Sequence, residues 1–167
     1  MQRRAPPLVW EAARDGIWRP NSMGDVDWKQ RLRENVGRVR QTLSAACERS
    51  QRDPADVHLI AVTKYVSSDV LGEVLRAGVR DIGESHVQQL ATRAEGYGQA
   101  RLDWPGPAED AGGQPRWHMI GHLQRNKVKL LLPYARIVHS LDSAHLAETL
   151  EQHAQRLEAA VDVFIEV

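Results

Sequence analysis

Five short strand-like segments, separated by amphipathic stretches, constrain this chain more than any other feature. They are "VHLIAVTKY" (57–65), "VRDIGES" (79–85), "RWHMIGHL" (116–123), "RIVHSLD" (136–142) and "VDVFIEV" (161–167). Between them stand "SSDVLGEVLRAG", "HVQQLATRAEG", "QRNKVKLLLPY" and "SAHLAETLEQHAQRLEAA". The first of the five is a near-continuous apolar run, of the kind found in strands of parallel sheets covered on both faces. Strands alternating with helices over short connections predict parallel pairing through right-handed crossovers, and so an α/β fold. The segment after the first run carries its own punctuation. A serine or aspartate caps its start, Val70, Leu71, Val74 and Leu75 form one face, and Gly78 is placed as a C-terminal stop.

A long helix precedes the first run. Trp28, Leu32, Val36, Val39, Leu43 and Ala46 recur at steps of four and three, with polar and charged residues between them. Asp25 or Asp27 can cap it, and Asp53-Pro54 lies beyond its end. Residues 1–24 show no sustained period and are left out of the fold as a disordered extension, so the domain is expected over residues 25–167. Within it, "GYGQARLDWPGPAEDAGGQP" (96–115) holds five glycines and three prolines, the mark of a flexible insertion of no necessary function.

Composition narrows the function classes. The 167 residues are 42% hydrophobic and 26% charged, ordinary for one globular domain with a sizeable core. Lys plus Arg and Asp plus Glu both number 22, so no excess positive charge points to nucleic acid or an anionic membrane. Cys47 is the only cysteine, which excludes an internal disulfide and a multi-cysteine zinc site and suits a reducing cytoplasm. The seven histidines show no zinc-type spacing either, so no metal is expected. The two arginines near the start are followed by no apolar signal segment, and no later run is long enough to span a bilayer.

Periodicity leaves two α/β architectures open, a doubly wound sheet and the first part of an eight-stranded barrel. No strand is followed by a glycine-rich phosphate motif of either common type, which favours the barrel. Val167 ends an apolar strand with no turn or polar tail after it, so the domain is expected to continue.

"LIAVTKYV", "AGVRDIGESHVQQL", "WHMIGHLQRNKVKLLLPYARIVHSLDS" and "VDVFIEV" occur in that order from about Asp27 onward. Together they resemble the successive motifs of the pyridoxal phosphate homeostasis protein family (the YggS/PROSC group). The most specific is W-H-x-I-G-x-L-Q-x-N-K at Trp117 to Lys127. The resemblance implies a (β/α)8 TIM-type barrel of the alanine racemase N-terminal type, with about its first five strands present. It also implies pyridoxal 5'-phosphate (PLP) held as an imine on the lysine that ends the first strand, which matches Lys64. Family members are regarded as carriers or regulators of the vitamin B6 pool without established turnover, and PLP-dependent apoenzymes are the partners this suggests.

Elementary chemistry supports such a use of Lys64. Alternation along the strand puts it on the same face as Val62 and Ile60, so its stem would follow the barrel interior and its amine reach the C-terminal mouth, where barrel sites lie. An aldehyde condenses only with neutral amine, and a lysine with a pKa of about 10.4 is neutral in on the order of one molecule in a thousand near pH 7. Desolvation at a mouth lowers that pKa.

Three further residues are candidate cofactor contacts. Ser85 stands where the family usually has the asparagine of G-E-N, and a hydroxyl lacks the amide's paired donor and acceptor. His118, on the third strand, falls near the ring in the family motif, although a hydrogen-bonded core role is the commoner one for such a histidine. Ser140 ends the fourth strand with Asp142, and Asp142 is equally suited to capping the next helix. His122 replaces a proline common in the family and could be a plain surface residue. Gln124, Asn126 and Lys127 are expected to fix the start of the third helix.

The family takes its serine- and glycine-rich phosphate loop, and the arginine facing the pyridine nitrogen, from its second half. This chain is therefore expected to be a fragment of weak cofactor affinity and marginal stability. Two functions of other classes compete with the carrier: a racemase- or aldolase-like enzyme working through the Lys64 imine, and an α/β interaction module in which Lys64 is structural.

Overall fold

The computed structural model describes residues 10–12, 18–20, 25–100 and 115–167. These fall into two compact units. The first contains the chain up to Leu59 together with Tyr65–Gly78, and the second contains Ile60–Lys64 and Val79–Val167.

In the first unit, two three-residue strands, β1 (Trp10–Ala12) and β2 (Trp18–Pro20), pair antiparallel within the stretch set aside as disordered. The remainder of residues 1–24 lies outside the described residues. Helix α1 (Asp25–Ser50) follows, then a single 3-10 turn at Pro54–Asp56, where Asp53 accepts a hydrogen bond from the Ala55 amide at 2.9 Å. Helix α1 meets that turn and α2 (Ser68–Arg76). Trp28 and Cys47 are buried near its two ends, whereas Val39, within the same stripe, is exposed. The apolar stripe of α1 is thus only partly covered. Val70, Leu71, Val74 and Leu75 of α2 are all buried, as their spacing predicts. Buried with them is Glu73, held by Arg33 and, at 3.0 Å, by Arg76. Gly78 follows the last turn at φ +80°, a conformation costly for any residue with a Cβ, so the helix stops where the sequence marks it.

The second unit holds a parallel sheet in the order β3 (Ile60–Val62), β4 (Asp81–Glu84), β5 (Arg116–Met119), β6 (Ile137–Leu141) and β7 (Asp162–Ile165). Neighbours in sequence are neighbours in space, and all four pairings are parallel. Helices α3 (Val87–Ala100), α4 (Val128–Leu131) and α5 (Ala144–Arg156) connect the later strands. Helix α3 packs on β4, β5 and α4, and α4 meets α5. One face of the sheet supplies Ile82, Trp117, Met119 and Val138 to the core, with Leu90, Leu131 and Leu146 from the helices. At about 1.5–3 kcal/mol for each large side chain fully buried, these outweigh single hydrogen bonds at about 1 kcal/mol and hold the sheet to its helices.

The elements differ from the sequence expectation at their boundaries. Helix α3 runs through Gly96 to Ala100, and the rest of the expected insertion, residues 101–114, lies outside the described residues. The third helix is reduced to a 3-10 turn at Arg125–Lys127 and the single turn of α4. Pro133 accounts for the early stop, since its ring nitrogen has no proton to carry the helical hydrogen-bond ladder past Leu132, which itself stays helical at φ −62° and ψ −25°. Ser143, not Asp142, caps α5, its hydroxyl accepting from the Leu146 amide at 3.4 Å. The serine hydroxyl lies at the cap itself, whereas Asp142 is drawn to His122, with Oδ2 and Nδ1 3.1 Å apart.

Candidate functional site

The first sheet strand ends with Thr63 and Lys64. Thr63 is buried between Val62, 53% exposed, and Lys64, also exposed. Alternation therefore sends Thr63 toward the helix-covered side and Lys64 to the opposite face, at the C-terminal end of the edge strand β3. Tyr65 follows with φ +67°, a left-handed conformation uncommon for an aromatic residue.

Three sides of Thr63 are fixed. Its amide donates to the Gly83 carbonyl at 3.0 Å, its hydroxyl donates to Glu84 Oε1 at 2.5 Å, and its carbonyl accepts from Arg93 Nη1 at 2.7 Å. Arg93, from α3, also pairs with Glu84. The Glu84 side chain is fully buried and that of Arg93 is 10% exposed. The second carboxylate oxygen of Glu84, Oε2, is buried without a hydrogen-bond partner.

On the face that carries Lys64, the register sets Gly83 beside Val62 and His118 beside Gly83. Here a row of polar side chains crosses three strands. Arg116 meets Asp81 with both Nη2 and Nε, each at 2.8 Å. His118, 5% exposed, sets Nε2 at 2.9 Å from Asp81 Oδ1 and Nδ1 at 2.9 Å from His139 Nε2. The His139 ring stacks on Phe164 of β7, with centroids 4.5 Å apart. A carboxylate can only accept, so Nε2 of His118 is a donor. Burial by itself would raise the Asp81 carboxyl, but hydrogen bonds from Arg116 and His118, and their charges, outweigh it and hold the group below its ordinary 3.8. His139 is held below 6.5, first by loss of solvent and then by the charge of His118.

The remaining candidates gather at the C-terminal strand ends around Gly121. A Cβ added to Gly121 would lie 2.5 Å from the Ser85 carbonyl oxygen, so only glycine allows the two backbones this close. Ser140 is buried and donates to the Gly121 carbonyl at 2.6 Å. The Ser85 hydroxyl lies 3.0 Å from Nδ1 of the adjacent His86. Ser85 and Ser140 are thus joined through Gly121, while His118 sits deeper in the sheet, level with Gly83. Lys64 is two residues beyond Val62 and Ser85 two beyond its partner Gly83, so both stand at the same end of adjacent strands.

Asp81, His139 and the Thr63–Glu84–Arg93 cluster went unread in the sequence. A period-two count from Gly83 would have set Asp81 on the face of Lys64. The contact of Arg93 with Thr63 spans thirty positions and has no local signal. Among the described residues, no cluster of histidine, cysteine or acidic side chains could hold a metal ion, and no helix is long and apolar enough to cross a membrane.

No protein-family model matches the chain. The pyridoxal phosphate homeostasis protein of Aquifex aeolicus is 32% identical over 134 residues, 80% of this chain and 53% of its own length. That of Mycobacterium leprae is 29% identical over 126 residues, 75% of this chain and 48% of its own. Among solved structures, an unknown protein from Bifidobacterium adolescentis superposes with a TM-score of 0.71 at 32% identity, covering 86% of this chain and 57% of that one. PipY of Synechococcus elongatus with PLP bound gives a TM-score of 0.56 at 30% identity, covering 71% of this chain and 50% of PipY. The chain spans about half the length of the curated relatives it matches. Over that span it is a homologue of the pyridoxal phosphate homeostasis proteins.

Proposed function

We propose that this chain serves intracellular PLP homeostasis in the cytoplasm, holding PLP as an imine on Lys64 within a (β/α)8 barrel of the alanine racemase type to which its five strands contribute. The observation that carries this is the position of Lys64 at the C-terminal end of the first strand of a parallel sheet, in a chain that superposes on PLP-bound PipY at 30% identity. The residues fit the group in chemical kind. Lys64, an exposed residue, supplies an amine, and Ser85 supplies a hydroxyl at the same end of the neighbouring strand. PLP supplies an aldehyde, with which the neutral amine condenses with loss of one water.

The carrier is favoured over a racemase or aldolase by the engagement of His118. Asp81 and His139 occupy both its ring nitrogens, which leaves neither turned to a substrate proton. His118 and Ser140 are accordingly assigned to support of the site, one beneath it and one through Gly121. PLP-dependent apoenzymes are the proposed recipients. The affinity of these 167 residues by themselves is proposed to be weak, because phosphate in such barrels is held by loops after strands seven and eight.

Borohydride reduction of a mixture with PLP, followed by peptide mapping, tests the proposal. Label is expected on Lys64 and absent after Lys64→Ala. Equal label spread over several surface lysines, unchanged by Lys64→Ala, would refute it.

A further inference from the structure

We propose that Arg93 is a positioning residue for Lys64, acting through the peptide that joins Thr63 to Lys64. The inference rests on the reading of Lys64 as the PLP anchor and assigns the device that aims it.

A peptide unit is planar, so the Thr63 carbonyl and the Lys64 amide turn together. Arg93 Nη1 holds that carbonyl at 2.7 Å, and the Thr63 amide is tied to Gly83 at 3.0 Å. Glu84 takes the Thr63 hydroxyl on one oxygen and the Arg93 guanidinium on the same oxygen. Strand β3 is only three residues long, and Lys64 lies two residues past its last residue, Val62. So short a strand makes few ladder hydrogen bonds of its own, and the direction of its end depends on contacts such as these. The tie is not a general surface ion pair, because the side chains are 10% and 0% exposed and the guanidinium contacts the main chain itself. Burying this pair is costly, and apolar residues could fill the same space at less cost. Placing it against the residue before Lys64 gives that cost a use, since the direction of the amine is set by the backbone it leaves.

The reaction between PLP and Lys64 separates positioning from simple support of the fold. The rate of borohydride-trapped label at Lys64, the melting temperature and amide exchange at Lys64 are measured for four proteins. These are wild type, Arg93→Lys, the double variant Arg93→Met with Glu84→Gln, and Glu73→Gln. The double variant removes both charges and leaves no lone buried carboxylate, while Glu73→Gln perturbs a buried carboxylate of the other unit that pairs with two half-exposed arginines. The double variant is expected to label Lys64 on the order of tenfold more slowly, with faster amide exchange there. Arg93→Lys keeps one donor and the charge, and should recover part of the rate. Glu73→Gln should lower the melting temperature without slowing the label.

Labelling and exchange at wild-type values in the folded double variant overturn the proposal, as does an equal slowing in Glu73→Gln. If the double variant does not fold, wild-type rate and exchange in Arg93→Lys overturn it. Absence of label on Lys64 in the wild type would overturn the anchor reading instead. Amide exchange, which needs no PLP, still decides whether Arg93 holds the Lys64 peptide.

Discussion

Nε2 of His118 lies 2.9 Å from Oδ1 of Asp81, on the same sheet face from which Lys64 projects. The pairing joins two strands side by side, and Arg116 grips the same carboxylate with two nitrogens. Asp81→Asn keeps the shape, loses the charge and leaves one of these donors facing an amide. Arg116 is half exposed and partly solvated, so the expected loss is about 1–3 kcal/mol of folding stability, read by urea denaturation.

That carboxylate also predicts an acid response. Its pKa is lower in the folded chain than its ordinary 3.8, so the folded state favours the ionised form. The resulting stability is present above 3.8 and is lost as pH falls through the lower folded value. Melting temperatures of wild type and Asp81→Asn should therefore converge below about pH 4, and a gap that stays constant down to pH 2 would count against this pairing.

His139 gives a second window, nearer neutrality. Its folded pKa is depressed below 6.5, so above 6.5 both states are neutral and nothing is lost. As pH drops below 6.5 the unfolded chain takes up a proton that the folded chain resists, and stability falls until the folded value is passed. Between pH 7.5 and 5.5 the wild type should lose more melting temperature than His139→Gln. Parallel losses in the two would remove His139 as the cause.

Two glycines should respond in opposite directions to the same added methyl. In Gly121→Ala the new Cβ meets the Ser85 carbonyl oxygen at 2.5 Å and its Cα at 2.9 Å, both backbone atoms, so strands must shift at a cost of about 1–3 kcal/mol. In Gly37→Ala, within α1, nothing lies within 4 Å, and a stabilisation of about 0.5–1 kcal/mol is expected from helix propensity. Thermal melts of the two variants check both signs.

Gly78→Ala isolates a third mechanism. With φ at +80°, a Cβ is strained whatever the space around it, and a loss of about 1 kcal/mol is expected at the end of α2. An unchanged melting temperature would mean the helix end can move to another residue.

The alternation of strand and helix was legible because it is a local pattern. Val70, Leu71, Val74 and Leu75 mark one face of α2, and Gly78 marks its end, without reference to the rest of the chain. The parallel sheet followed from the helical segment between successive strands, which returns the chain to start the next strand in the same direction, and each of its strands falls inside a run recognised in the sequence. Lys64 stood out for the same reason, as a charge ending an apolar segment. Boundaries were less legible. Ser143 rather than Asp142 caps α5, and Pro133 cuts α4 to one turn, because neighbouring signals compete and geometry decides between them.

Sequence by itself thus determined the strand order along the chain, the helix that follows each of the first four strands, and the lysine at the end of the first. Tertiary structure decided the partners. Arg93 reaches the Thr63 carbonyl, Asp81 is shared by Arg116 and His118, and Ser140 binds the Gly121 backbone, all across separations of 19 to 37 residues. Periodicity assigns a residue to a face and says nothing of which atom on another strand or helix lies within 3 Å. Those contacts depend on the register between strands, and burial of the whole core sets that register.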